Sequence, residues 1–159
     1  EAVGLDLTPP PLEARDSADP TSVSGTRRKR HAGFRQRVLL AYEHRCCVCG
    51  FDLRIGSVSA GLEAAHIQWH NAGGPDVEAN GLSLCALHHK LFDLGVFTLE
   101  AQSLRIVFSR HAIAGSRGLD GELKHHGQPL LRPQSPDLLP GASFIAWNHR
   151  NIFKTPARA

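Results

Sequence analysis

The sequence has no methionine, one tyrosine and two tryptophans among 159 residues, and it has no long uninterrupted apolar run. A helix that spans a bilayer needs about 20 consecutive apolar residues, so we expect no membrane segment and no membrane partner. The N-terminus shows no basic segment followed by an apolar stretch and a cleavage site, which argues against secretion. We therefore expect a soluble cytoplasmic protein.

The length of the chain allows one ordinary domain with its own core, together with a tail. We expect residues 1–30, which include many prolines and small polar residues, to form a weakly ordered linker or arm. Residues 31–159 should form the folded domain, with its motif core at 46–93. Because the chain begins at Glu1 and lacks methionine, we expect it to be a fragment with further sequence upstream.

The net charge is +3, and the basic side chains are mainly arginines. Arginine is suited to bidentate contact with phosphate, so this composition fits a nucleic-acid ligand without proving one. The basic run is either a solvated end of the linker or an arm that contacts phosphates. It consists of Arg27, Arg28, Lys29 and Arg30.

Four cysteines are present, and three of them fall at the spacing of metal ligands. Cys46-x-x-Cys49 and Cys85-x-x-His88 form two halves of a ligand set. Together they supply the four soft or borderline ligands of a closed tetrahedral Zn²⁺ site. This spacing favours zinc in a reducing compartment over two disulfide bonds, and it leaves Cys47 as a spare thiol.

His89 directly follows the last of these ligands. On a short helix it points away from His88, so it can serve a second centre with His66. Asp93 lies four residues further on, where a single helix face brings both side chains to one ion. The sequence therefore predicts a structural zinc site and a separate divalent site.

Apolar residues recur at helical spacing from Phe34 to Tyr42, which predicts a helix that starts near Gly33 and leads to Cys46. The tail after Gly115 contains many prolines and predicts an irregular segment that wraps around the core. Between them, the pattern predicts a strand at 62–67, an irregular loop at 68–80, a short helix within 83–94, and a hairpin with strands at 96–99 and 104–108.

The order of these residues resembles the HNH endonucleases of the ββα-metal superfamily, over about residues 33–110. In that family a first histidine ends a strand, an asparagine follows in the loop, and a last histidine opens a helix. His66, Asn80 and His89 match these three positions. The segment is close to a restriction-type subgroup and resembles the nuclease domain of modification-dependent restriction endonucleases.

The resemblance implies a role for each of these residues. His66 is the candidate general base, since histidine titrates near neutral pH and can take a proton from water. Asn80 either pins the strand that carries His66 or touches the metal. His89, with Asp93 as a companion, is the candidate ligand of the catalytic ion, which we expect to be Mg²⁺ or Mn²⁺.

The chain departs from the family at Ala65. Many members have an acidic residue or a histidine immediately before the general base, where it serves as a second metal ligand. The metal ion here must have fewer protein ligands, or other groups must complete its coordination. Asp93 is the first candidate and Glu63 the second, with water and phosphate oxygens supplying the rest.

We therefore expect an α+β fold with a ββα-metal core, a zinc knuckle, a flanking helix and an extended C-terminal tail. Its expected function is metal-dependent DNA hydrolysis, as the C-terminal nuclease module of a modification-dependent restriction enzyme whose recognition domain lies upstream in the same polypeptide. A homodimer is compatible with this hypothesis. The alternatives are a zinc-stabilised DNA-binding module without catalysis, a toxin-type HNH nuclease, and a disulfide-bonded interaction domain.

Overall fold

The structure is a computed structural model that describes residues 25–113, 115 and 121–159, with side chains from Gly33 onward. Most of the predicted linker at 1–30 lies outside the described residues. The side chains of the basic run do too. Its backbone is described, and it belongs to helix α1 (Gly25–Ala41), which begins before the predicted start near Gly33. Arginine and lysine are good helix formers, which explains the earlier start.

Helix α1 packs one apolar face against the rest of the domain. Phe34, Val38 and Tyr42 are buried, at the spacing that the sequence predicted. The helix ends where Glu43 and His44 adopt left-handed backbone angles, with φ of 54° and 56°. This reversal sends the chain directly into the first half of the cysteine cluster.

A small exposed hairpin, which the sequence did not predict, follows that turn. It consists of β1 (Arg54–Ile55) and β2 (Val58–Ser59), paired antiparallel. Its four strand residues face largely to solvent, so no alternation of buried and exposed residues was present to reveal it.

The centre of the fold is an antiparallel pair of strands followed at once by a helix. Strand β3 (Leu62–His66) pairs with β4 (Gly81–Cys85), and His66 lies opposite Gly81. Helix α2 (Ala86–Asp93) begins directly after β4. The loop between the strands contains two short 3₁₀ turns, as expected from its many turn residues. The ββα order predicted from the sequence is therefore present.

A second antiparallel pair and a C-terminal helix complete the domain. Strands β5 (Phe97–Leu99) and β6 (Ile106–Phe108) form the predicted hairpin. The tail wraps the core as expected, but it also forms helix α3 (Ala142–Asn151), which the sequence did not predict. Buried Asn148 on α3 accepts a hydrogen bond from the Thr98 hydroxyl at 2.8 Å and so ties the tail to β5.

One hydrophobic core joins these elements, with contributions from α1, the two larger strand pairs, α2 and α3. None of the described helices is long and apolar enough to cross a membrane. The members of the core with almost no exposed surface include Phe34, Tyr42, Leu62, Ile67, Leu82, Leu84, Phe92, Phe97, Ile106, Phe108 and Ile145.

Candidate active site and metal centre

The four predicted zinc ligands lie together. The ligand atoms of Cys46, Cys49, Cys85 and His88 are all within 4.8 Å of one another. Nδ1 of His88 is 3.1 Å from Sγ of Cys85 and 3.6 Å from Sγ of Cys46. Ligands of a tetrahedral zinc ion are separated by roughly 3.6 Å at ordinary Zn–S and Zn–N bond lengths, so these donors fit the ion.

Local backbone geometry presents the two halves of this cluster to each other. Gly50 takes a left-handed φ of 77° after the first cysteine pair, and its N–H donates to the Cys46 carbonyl at 2.8 Å. Cys85 ends β4, and His88 lies in the first turn of α2. The junction of strand and helix thus supplies the second pair of ligands without an intervening loop.

The thiols of this cluster differ in their pKa values. Burial alone raises the pKa of Cys46, but hydrogen bonds from His88 and from backbone amides outweigh it and lower the pKa to about 6. Burial raises the pKa of Cys49 to about 12, and the neighbouring Cys46 thiolate contributes. Burial raises the pKa of Cys85 as well. A cluster that stabilises a single thiolate needs a cation to ionise the others, which is the chemistry that zinc supplies.

Cys47 lies outside this four-residue group. It is fully buried, and its burial raises the pKa of its thiol well above the ordinary value. Its backbone N–H donates to the Ser83 carbonyl, and its carbonyl accepts from Leu131. Cys47 therefore serves packing between the knuckle, β4 and the tail.

The far side of the His88 ring faces the tail, which the sequence did not indicate. Nε2 of His88 is 2.9 Å from a carboxylate oxygen of Glu122, an ion-pair distance without the alignment of a hydrogen bond. The His125 ring packs edge-on against His88, with centroids 5.7 Å apart. A carboxylate behind a metal-binding histidine commonly orients the ring. Spacing in the sequence cannot reveal a partner brought in by the tail.

A separate cleft brings together His66, His89 and Asp93. Its volume is about 530 Å³, and it is open to solvent. The cleft lies between the end of β3 and the outer face of α2. The other residues that line it are Ala64, Trp69, His70, Asn71, Lys90 and Leu94.

The His66 ring is held by neighbours from two elements. Phe34 of α1 stacks on it, with ring centroids 4.0 Å apart and the planes inclined by 14°. Nε2 of His66 is 2.8 Å from Oδ1 of Asp76, in the loop between β3 and β4. His70 lies nearby, with its Nε2 4.0 Å from the same carboxylate oxygen. The sequence did not single out Phe34 or Asp76 for this role.

Asn80 is completely buried and uses both ends of its amide within the loop. Its Oδ1 accepts the Gln68 N–H at 2.8 Å, and its Nδ2 donates to the carbonyls of Gln68 and Pro75, each at 3.0 Å. These bonds pin the two ends of the loop that follows His66. Of the two roles considered for Asn80, the contacts match the pinning role.

His89 is flanked by two carboxylates. Its Nδ1 forms a hydrogen-bonded contact with Glu63 of β3, and its Nε2 is 3.5 Å from Oδ2 of Asp93. Among the described residues these groups do not converge as the four zinc ligands do, since the two carboxylates meet opposite nitrogens of the ring. Ala65 is fully buried in the core and its methyl group has no donor atom, so this position contributes no metal ligand.

Known proteins resemble this chain in sequence and in fold. Residues 46–100 match a protein family described as HNH endonuclease. A solved structure titled "Modification dependent TagI restriction endonuclease" matches with a TM-score of 0.54 and 26% sequence identity, over 79% of this chain and 39% of that one. The present chain thus spans well under two thirds of that protein. No curated protein sequence matches significantly.

Proposed function

We propose that the chain carries an HNH endonuclease domain, as its similarity to that family over residues 46–100 supports, and that this domain hydrolyses DNA with His66 as the general base and a divalent cation held by His89 and Asp93. The observation that carries the proposal is the shared cleft, which exposes a histidine at the end of β3 and a histidine on α2 to the same solvent-filled space. A phosphodiester in that space can meet both groups.

Each side chain then has a distinct task. His66 takes a proton from the attacking water, and the stacked Phe34 ring limits its rotation. His89 and Asp93 would hold Mg²⁺ or Mn²⁺, which offsets negative charge on the phosphate. With no ligand at Ala65, water and phosphate oxygens would complete the shell, an arrangement that Mg²⁺ accepts. Asn80 keeps the loop after His66 in place.

The cysteine cluster serves stability in this proposal. Cys46, Cys49, Cys85 and His88 offer four donors to Zn²⁺ and leave no open position for substrate, as in structural zinc sites. Because His88 and His89 are neighbours on one helix, the structural site fixes the position of the catalytic ligand. Two adjacent histidines thereby serve two different ions.

We further propose that the domain is the nuclease module of a restriction enzyme that acts in the cytoplasm. The similarity to a protein titled as a modification-dependent restriction endonuclease supports this, as does the fact that this chain spans 39% of that protein's length. Recognition of sequence or modification would then reside in a further domain of the same polypeptide, upstream of this one. Homodimer formation stays a prediction.

Substitution of His66 tests the central step. The His66→Ala protein should bind DNA and zinc as its parent does, but should nick supercoiled plasmid about 10²- to 10⁴-fold more slowly. Gel shift, zinc content and nicking are measured on the same preparation, with modified and unmodified plasmids and with Mg²⁺, Mn²⁺ or EDTA. His149→Ala, at an exposed histidine of α3, is the matched control.

A second candidate function is a DNA-binding module without catalysis. The absence of a metal ligand at Ala65 favours it, since among the described residues that line the cleft the proposal assigns the ion to His89 and Asp93 alone. A His66→Ala protein that cuts as fast as its parent would remove the histidine-activated water from the mechanism. Failure of the parent protein to nick any of these plasmids under any of these ions would favour the binding module.

A further inference from the structure

We propose that Asp76 is the positioning residue of the general base, an inference that rests on the proposed role of His66. Oδ1 of Asp76 lies 2.8 Å from Nε2 of His66, and both side chains are largely shielded, at 23% and 14% exposure. Surface ion pairs contribute little, but a pair removed from solvent to this degree restricts the ring. Neither the family match nor the order of motif residues points to Asp76.

The carboxylate reaches the ring from outside the cleft. His66 lines the cleft and Asp76 does not, so Asp76 does not occupy the space that a phosphodiester would enter. When His66 takes a proton from water, its ring becomes positively charged, and a carboxylate at 2.8 Å offsets that charge. The proton stays on His66 while the hydroxide that remains attacks the phosphorus, the bond from phosphorus to the leaving oxygen breaks, and that oxygen takes a proton from solvent water.

Helix α1 holds both members of this pair. Nη2 of Arg37 donates to the Asp76 carbonyl at 2.6 Å, and its Nε donates to Oε1 of Glu78 at 2.8 Å. Phe34, almost one turn earlier on the same helix, stacks on His66. The backbone of Asp76 and the imidazole of His66 are therefore both held by one helix, although they come from different parts of the chain. Such support is what a precise catalytic geometry requires.

The test is a double-mutant cycle with the full chain. Steady-state nicking of labelled plasmid is measured for Asp76→Asn in the parent and in the His66→Ala background, together with zinc content and thermal unfolding. In the parent, Asp76→Asn should lower kcat about 10²-fold or more with little change in KM. In the His66→Ala background it should cost no further rate, because Asp76 acts through the missing ring.

Two variants keep the test decisive. Asp52→Asn, at an exposed aspartate away from the cleft, should leave kcat unchanged. Asp76→Glu should restore part of the rate lost in Asp76→Asn, since it returns a carboxylate to the ring. A purely structural role would instead lower the unfolding temperature and zinc content and would give no such rescue.

The outcomes separate the two proposals. An Asp76→Asn protein with parental kcat would overturn the positioning role while His66 kept its own. Equal proportional losses in both backgrounds would also overturn it, since Asp76 would then act independently of the ring. A His66→Ala protein with parental kcat would instead overturn the proposed function, whatever Asp76 does. If His66→Ala is too slow to measure, the kcat of Asp76→Asn and its rescue by Asp76→Glu decide alone.

Discussion

Gly81 shows how closely single residues control the surroundings of the proposed general base, His66. It lies opposite His66 in the strand pair, and a Cβ placed there would be 2.4 Å from Cγ2 of Val38 and 3.1 Å from Cζ of Phe34. A side chain at this position would overlap Val38, and the Phe34 ring would have to move by a few tenths of an ångström. A glycine in the strand therefore lets helix α1 pack closely beside the His66 ring.

Asn80 gives a prediction at the same scale. Asn80→Ala removes three hydrogen bonds and leaves a partly buried N–H and two carbonyls of the loop without the Asn80 side chain as their partner. We expect the protein to lose about 2–4 kcal/mol of stability and to nick DNA more slowly, because the loop that carries Asp76 loosens. Urea unfolding and plasmid nicking measure the two effects.

The matched control for this substitution is Asn151→Ala, which removes one exposed hydrogen bond at the end of α3. An Asn80→Ala protein that is as stable and as active as this control would contradict the pinning role. A loss of activity without a loss of stability would instead assign Asn80 to the chemistry.

The sequence could predict residues whose partners are near in the chain. The candidate zinc ligands stand out because their spacing is itself the signal, and His66 and His89 stand out because their order resembles the HNH pattern. Phe34, Asp76 and Glu122 give no such signal, since each meets its histidine through tertiary packing. Spacing in the sequence predicts which residues are neighbours on one element, but it does not predict which groups tertiary packing brings together.

At the scale of elements, helix α2 divides two tasks between adjacent residues. Consecutive side chains on a helix point about 100° apart, so His88 turns towards the cysteines while His89 faces the cleft. The helix starts immediately after β4, which fixes its orientation relative to β3. This short connection sets the distance between the candidate zinc site and the cleft that contains His66 and His89.

We expect His89→Ala to lower the rate of nicking with Mg²⁺ or Mn²⁺ by at least about 10-fold and to reduce the response of that rate to the ion. Zinc content should stay intact, because His89 faces the cleft and not the cysteine cluster. Asp93→Ala should have a milder effect in the same direction. Titration of nicking against Mg²⁺ and Mn²⁺, together with elemental analysis, measures both. Leu87→Ala is the control, at an exposed residue of α2 outside the cleft.

If His89→Ala released zinc while His88→Ala retained it, the two histidines would have to exchange roles. The distances from His88 Nδ1 to the sulfurs of Cys46 and Cys85 argue against that outcome.

Elements with strong apolar patterns were predictable, and those without them were not. The strand of residues 62–67, the helix that carries His89, and the second hairpin follow from periodicity and turn residues. Helix α3 did not, because the prolines before it suggested an irregular tail, and its buried face contains the polar Asn148. The exposed β1–β2 hairpin has no core-facing side to reveal it.

For the whole molecule, the metal should be the main source of folding energy beyond the small core. A structural zinc site in a small domain contributes on the order of 10 kcal/mol, so its removal should unfold the domain. Cys85→Ser should therefore lose zinc and native circular dichroism together. Elemental analysis and thermal unfolding, with and without a strong chelator, measure this.

Cys47→Ala is the control for the zinc prediction, because Cys47 is buried but stands apart from the four donors. It should keep a full equivalent of zinc. Full zinc content in Cys85→Ser, or loss of zinc in Cys47→Ala alone, would contradict the ligand assignment.

The position of the zinc cluster along the chain has a consequence for the time at which the nuclease becomes active. The first ligand pair ends at Cys49 and the second begins at Cys85, so His66, Asp76 and Asn80 all lie in the segment between them. A chain emerging from the ribosome has neither a closed knuckle nor a general base held against α1 until that second pair has been made and loaded. For a nuclease that works as proposed, metal acquisition thus delays DNA cleavage until the second ligand pair has been synthesised and has bound its ion.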